Sequence, residues 1–83
     1  MTVRTIKTNE IESNRIADYH QRFLIRSANE RYRLNDVFHL QCYKNGRPVE
    51  NKVNKTAWVI TLIMDDTLLP IDKGNQLIAF RAL

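Results

Sequence analysis

"VFHLQCYKNGRP", residues 37–48, is the stretch on which the fold class turns. From Val37 to Tyr43 the chain alternates. Phe38, Leu40 and Cys42 fall on one face of an extended segment, and Val37, His39, Gln41 and Tyr43 on the other. A period of two is the pattern of a half-buried strand. Asn45-Gly46 follows directly, and a type I′ hairpin turn needs positive φ at both central positions, which Asn and Gly accept readily. Pro48 has no N–H for a ladder, so the returning strand belongs at an edge or a bulge.

Downstream, "TAWVITLIM" (56–64) is apolar without alternation, the pattern of a central strand buried on both faces. "QLIAFRAL" (76–83) reads as a last strand with Ile78, Phe80 and Ala82 on one face. Between them, residues 65–75 form a loop that is long for so short a chain. Upstream, "VRTIK" (3–7) reads as a first strand. "TNEIE" opens a helix, with Asn9 as N-cap and Glu12 at capping-box spacing. That helix runs to about Tyr19. Its apolar stripe is thin, Ile16 with Tyr19 and His20, which suits a cover over one opening of a sheet. "RFLIR" (22–26) is a short strand with Phe23 and Ile25 on one face and Arg22, Leu24 and Arg26 on the other. "SANER" is the turn out of it, and "LND" a tight turn into the next strand. The expected fold is mostly β with one or two helices: a small antiparallel barrel, helix at its mouth, a central hairpin, and no free sheet edge.

Composition bounds the function. The 83 residues make one domain, 1–83. With 43% apolar and 27% charged residues the chain belongs among folded globular proteins. Cys42 is the one cysteine, so an intrachain disulfide is excluded and a reducing compartment fits. No apolar leader follows Met1, and no apolar run approaches the ~18 residues of a membrane span. A cytoplasmic protein with no membrane partner is expected. Gly46 and Gly74 are the only glycines, so no glycine-rich phosphate loop can be written. The net charge is +4. Residues 22–55 carry that balance, with Arg22, Arg26, Arg31, Arg33, Lys44, Arg47, Lys52 and Lys55 against Glu30, Asp36 and Glu50. Such a segment favours anionic partners.

Two readings of the arginines stand side by side. Guanidinium forks on the Arg22–Arg26 face can hold phosphate, with Tyr19, Tyr32 and Tyr43 as stacking rings. Alternatively Arg22, Arg31 and Arg33 are solvated and paired with Glu30, Asp18 or Asp36. Lys44, Arg47, Lys52 and Lys55 either track a nucleic-acid backbone or guard an edge strand. His39 and Cys42 sit three apart on a strand, hence on opposite faces, and cannot readily share a metal. Trp58 belongs to the core. Asp65 and Asp66 lack the further ligands that a metal site needs. No cofactor or metal is expected.

"RFLIRSANERYRLNDVFHLQCY" resembles the ASCH (activating signal cointegrator homology) domain family, in particular its small bacterial and phage members, which are PUA-like β-barrels. Phe23, Ile25, Arg26, Tyr32, Asp36 and Leu40 match that group's pattern without a gap. "GNQLIAFRAL" looks like its closing strand. The resemblance implies RNA-related binding in a cleft between helix and barrel. Arg26 would be the anion contact, assisted by Arg22, Arg33, Gln21, Tyr43 and Lys44, or else a structural arginine paired with an internal carboxylate. Some small members are amidohydrolases acting on acetylated cytidine, using a lysine and an acidic residue. Across the family's G-x-K-x-x-E-x-R signature this chain keeps Arg26 alone: Tyr19 stands for the glycine, Gln21 for the lysine and Leu24 for the glutamate. Gln21 cannot lose a proton in catalysis and Leu24 has no carboxylate. The expectation is therefore an RNA- or nucleotide-binding domain. An altered amidohydrolase and a protein-interaction module built on the 65–75 loop are the alternatives. Asn35 replaces a turn glycine, and Asn tolerates the left-handed conformation.

Overall fold

The computed structural model describes residues 3–83. Strand β1 (Arg4–Asn9) runs straight into helix α1 (Glu10–Tyr19). Strand β2 (Phe23–Ser27), a 3₁₀ turn at Ala28–Glu30, β3 (Val37–Lys44) and the two-residue β4 (Arg47–Pro48) follow. A second 3₁₀ turn at Lys52–Lys55 leads to β5 (Ala57–Asp65) and β6 (Asn75–Ala82). All strands join one sheet in the order β1-β3-β5-β6-β2, with β4 paired to β3 off that path. β1 lies parallel to β3, and every other pairing is antiparallel.

The chain is thus mostly β with one α-helix, but the sheet is mixed and its ladder does not close: β1 and β2 are its two ends. Arginine side chains span that seam in place of backbone pairing. Arg26 Nη2 donates to the Lys7 carbonyl at 3.0 Å, and Arg4 donates to the carbonyls of Glu30 and Arg31.

Helix α1 starts as its sequence dictates. The Glu12 N–H donates to Asn9 Oδ1 at 2.7 Å, and the Asn9 N–H donates to Glu12 Oε1 at 3.2 Å, closing a capping box. Such a cap contributes about 1 kcal/mol. At the other end His20 adopts φ 58°, and Arg22 Nη1 donates to the Ile16 carbonyl at 2.7 Å. That contact gives the helix C-terminus the cation its own last turn lacks. Ile16 and Ser13 are the buried helix residues, while Tyr19 and His20 of the anticipated stripe are exposed.

The inner face of the sheet carries Ile6, Leu24, Phe38, Leu40, Trp58, Ile60, Ile78 and Phe80, closed over by Ile16 and Val53. The Phe80 ring meets both Phe38 and Trp58 edge to face, each at a centroid distance of 5.3 Å. Cys42 is buried on the same face as Phe38 and Leu40, and His39 is exposed on the other. Leu24 therefore carries Arg22 and Arg26 inward with it, on the face opposite Phe23.

Two strand expectations change. Asn45 and Gly46 do form the turn, at φ 52° and 77°. It leads into a strand of only two residues ending at Pro48, off the main path of the sheet, at the edge where a proline belongs. β5 pairs with β3 only at residues 57–59, and where it departs the Asn54 side chain takes over. The Cys42 N–H donates to Asn54 Oδ1 at 3.0 Å, and Asn54 Nδ2 donates to the Val49 carbonyl at 2.9 Å. β5 is central, but it is not buried on both faces throughout. Its register with β6 slips between Ile60 and Leu62. Thr61 is the extra residue of a bulge, which reverses the phase of everything after it. Ile60 points inward, whereas Leu62, two residues on, faces out at 47% exposure and Ile63 packs on the core. The unbroken apolar run is thus two alternating segments joined out of phase.

The 65–75 loop is tied rather than loose. Asp65 Oδ1 accepts from the hydroxyl and the N–H of Thr67, and these bonds hold the Asp65 carboxyl below its ordinary range. The Gly74 N–H donates to Asp66 Oδ2 at 3.1 Å, and the Gly74 carbonyl accepts from the Ala28 N–H at 2.8 Å.

Candidate functional site

The seam between β1 and the segment running from β2 through the first 3₁₀ turn is a groove of about 350 Å³. Thr5, Ile6, Lys7, Arg26, Glu30 and Tyr32 line it. A depression of about 220 Å³ sharing Thr5, Ile6, Glu30 and Tyr32 continues it past Arg4. On each face of β1 a basic side chain meets a tyrosine ring. The Arg4 guanidinium lies 4.9 Å from the Tyr32 ring centre, and the Lys7 ammonium 5.2 Å from that of Tyr43. Strand geometry explains the placement: Arg4 shares the inner face with Ile6, while Lys7 lies opposite Gln41 on the outer face, two residue pairs before Tyr43.

Arg26 stands in the middle of this groove and is fully engaged. Nη1 donates to Glu12 Oε2 at 2.9 Å and to the Ile25 carbonyl at 2.7 Å. Nη2 donates to Glu12 Oε1 at 2.9 Å and to the Lys7 carbonyl at 3.0 Å. The Glu12 carboxylate thus meets the Arg26 fork bidentately while also closing the helix cap. The two side chains are 21% and 26% exposed, so the pair is shielded but not dry. It ties α1 to β2, and its bond to Lys7 adds β1.

The other anticipated site residues do not gather around Arg26. Arg22, four residues back and just before β2, lies over the Trp58 ring at 4.9 Å. It borders a separate cavity of about 210 Å³ with Ile16, Val53 and Lys52. Gln21 donates to the Phe23 carbonyl at 2.9 Å. Arg33 is exposed, with its N–H on Asp36 Oδ2 at 3.0 Å. Lys44 lies 3.9 Å from Glu10, and Lys52 lies 3.7 Å from Asp18, both at the surface. Tyr43 alone of that set joins the groove's surroundings, through Lys7. Arg22, Arg31 and Arg33 show no ion pair with the proposed carboxylates among the described residues. A further open depression of about 310 Å³ beside Glu50, Asn51, Lys52 and Lys55 has no aromatic ring in its lining. No cluster of three metal-ligating side chains occurs among the described residues.

Lys7, Arg4 and Thr5 were not anticipated. Read alone, "VRTIK" is a bland basic strand. Only its parallel pairing with β3 brings Lys7 to Tyr43 and Arg4 opposite Phe38.

Tyr32 is half-buried against the core. Burial pushes its phenol up from the ordinary 10.0, Glu30 adds to the rise, and Arg26 and Arg4 oppose it. The folded state therefore favours the protonated ring. Its contribution to stability is complete below pH 10.0 and is lost as pH rises through the raised value. Phenolate absorbance should show one of the three tyrosines titrating last, a component that vanishes in Tyr32→Phe. A late component that survives the substitution would assign it elsewhere.

No family model matches the chain, and no curated protein matches it. No helix among the described residues is long and apolar enough to cross a membrane.

Proposed function

We propose that the chain is a PUA-like domain of the ASCH type, its barrel completed by arginine side chains across the seam. In this reading it binds RNA or a nucleotide-like anion in the seam groove. The observation that supports this is the groove's lining of Lys7, Arg26 and Tyr32, with Arg4 stacked on Tyr32 in the adjoining depression. Cations beside aromatic rings are what a sugar–phosphate backbone with unstacked bases requires. The test is fluorescence anisotropy with a short single-stranded RNA at low and moderate salt. Binding that weakens as salt rises is expected; tight salt-insensitive binding, or none, removes the proposal.

The amidohydrolase alternative draws less support. Leu24 lies in the core, and the Gln21 amide is turned to the Phe23 carbonyl at the start of β2. The protein-interaction alternative has an observation of its own. Phe23, Ala79 and Leu62 form one row across the outer face of β2, β6 and β5, and Ile25, Leu77 and Met64 the next. Among the described residues no helix covers this apolar face, and contiguous apolar surface marks contact sites more often than scattered residues do.

A further inference from the structure

We infer that the groove accepts a single phosphodiester of a single RNA strand, that Lys7 holds it, and that Glu12 keeps Arg26 out of reach. This rests on the proposed reading of the groove as an RNA site and assigns its ligand class and contact. A guanidinium has five N–H donors, four of them on the terminal nitrogens that fork around a phosphate. In Arg26 all four end on protein acceptors, two of them on Glu12. A phosphate approaching Arg26 would have to displace a carboxylate already bound in the geometry the phosphate would adopt.

Arg4 is partly committed, through its two terminal nitrogens, to the carbonyls of Glu30 and Arg31. Lys7 differs: it helps line the groove, among the described residues it forms no ion pair, and its ammonium sits over the Tyr43 ring on the outer face of β1. Its donors are open to a ligand beside a ring on which a base can stack.

Charge sets the ligand class. Lys7, Arg4 and Arg26 supply three positive charges, and Glu12 and Glu30 two negative ones, so the local balance is 3 − 2 = +1. One phosphodiester, with a single negative charge, neutralises it. A terminal phosphate carries about −1.5 to −2 at pH 7, and a nucleoside triphosphate more, leaving uncompensated charge beside Glu30. The groove therefore suits an internal link of a strand over a free nucleotide.

The test is salt-dependent binding of a labelled single-stranded RNA hexamer, with competition by a dinucleoside monophosphate and by ATP. One contact to a single strand predicts a slope of about −0.7 in log K against log salt. Lys7→Met, at an exposed position, should weaken binding about ten-fold or more and flatten the slope. Glu12→Gln keeps a capping-box side chain but frees the Arg26 fork, so the slope should steepen towards about −1.4. The dinucleoside monophosphate should compete better than ATP. RNA binding that Lys7→Met leaves unchanged, a wild-type slope near −1.4, or better competition by ATP overturns this inference while leaving an RNA site standing. No RNA binding at low salt by wild type or Glu12→Gln overturns the site and the inference together.

Discussion

Phe38→Ala is expected to cost about 3–5 kcal/mol, among the largest losses a single side chain can bring in this fold. The ring is fully buried, meets Phe80 edge to face, and sits on the one strand that touches β1, β4 and β5. Alanine removes the ring's transfer free energy and leaves a cavity that neighbours fixed in a sheet cannot refill. At roughly 0.05–0.15 kcal/mol per residue, an 83-residue domain has only about 4–12 kcal/mol to lose. At about 4–8 °C per kcal/mol, the melting temperature should fall by at least about 12 °C. Phe23→Ala is the control. That ring lies on the outer face at 44% exposure and should cost under about 1 kcal/mol. Urea denaturation of both variants checks the pair, and similar midpoints would refute the assignment of inner and outer faces.

Arg26→Met is expected to cost about 2–3 kcal/mol. The loss comes less from the missing attraction than from what remains: a Glu12 carboxylate about three-quarters covered and without its cation. The seam also loses the Lys7 bridge. Glu12→Gln should cost less, since glutamine still serves the cap. The double variant should be about 1 kcal/mol more stable than the two single losses would sum to, because the second change removes the stranded charge. That coupling should survive high salt, unlike any at Lys44–Glu10 or Lys52–Asp18, whose partners are at least half exposed. Additive losses in a double-mutant cycle would mean the two side chains are independent. The same pair makes Arg26 a tie between helix and strand, with Glu12 as its internal carboxylate.

What the sequence discloses follows how local each signal is. Asn9 and Glu12 are three residues apart, so the cap is written in one turn of chain. The alternation of Phe38, Leu40 and Cys42 and the Asn45-Gly46 turn are equally local, as is the left-handed Asn35 at φ 71°. What is hidden is relational. Glu12 finds Arg26 fourteen residues away only once α1 has folded over β2. Lys7 meets Tyr43 only because β1 lies parallel to β3, which no property of "VRTIK" announces. The site residues picked from one arginine-rich segment share composition, yet neighbours on a strand diverge with every residue. Arg22 and Arg26, on the same face, end beside different cavities.

The Thr61 bulge has a consequence for comparing this chain with others. Residues 57–60 and 62–65 follow the same alternation in opposite phase. A relative with an unbroken strand would therefore align correctly only with a one-residue gap at Thr61. A gapless match would set Leu62, which faces solvent, against that relative's core, and Ile63 against its surface. Substitution patterns across this strand are best compared in two separate frames.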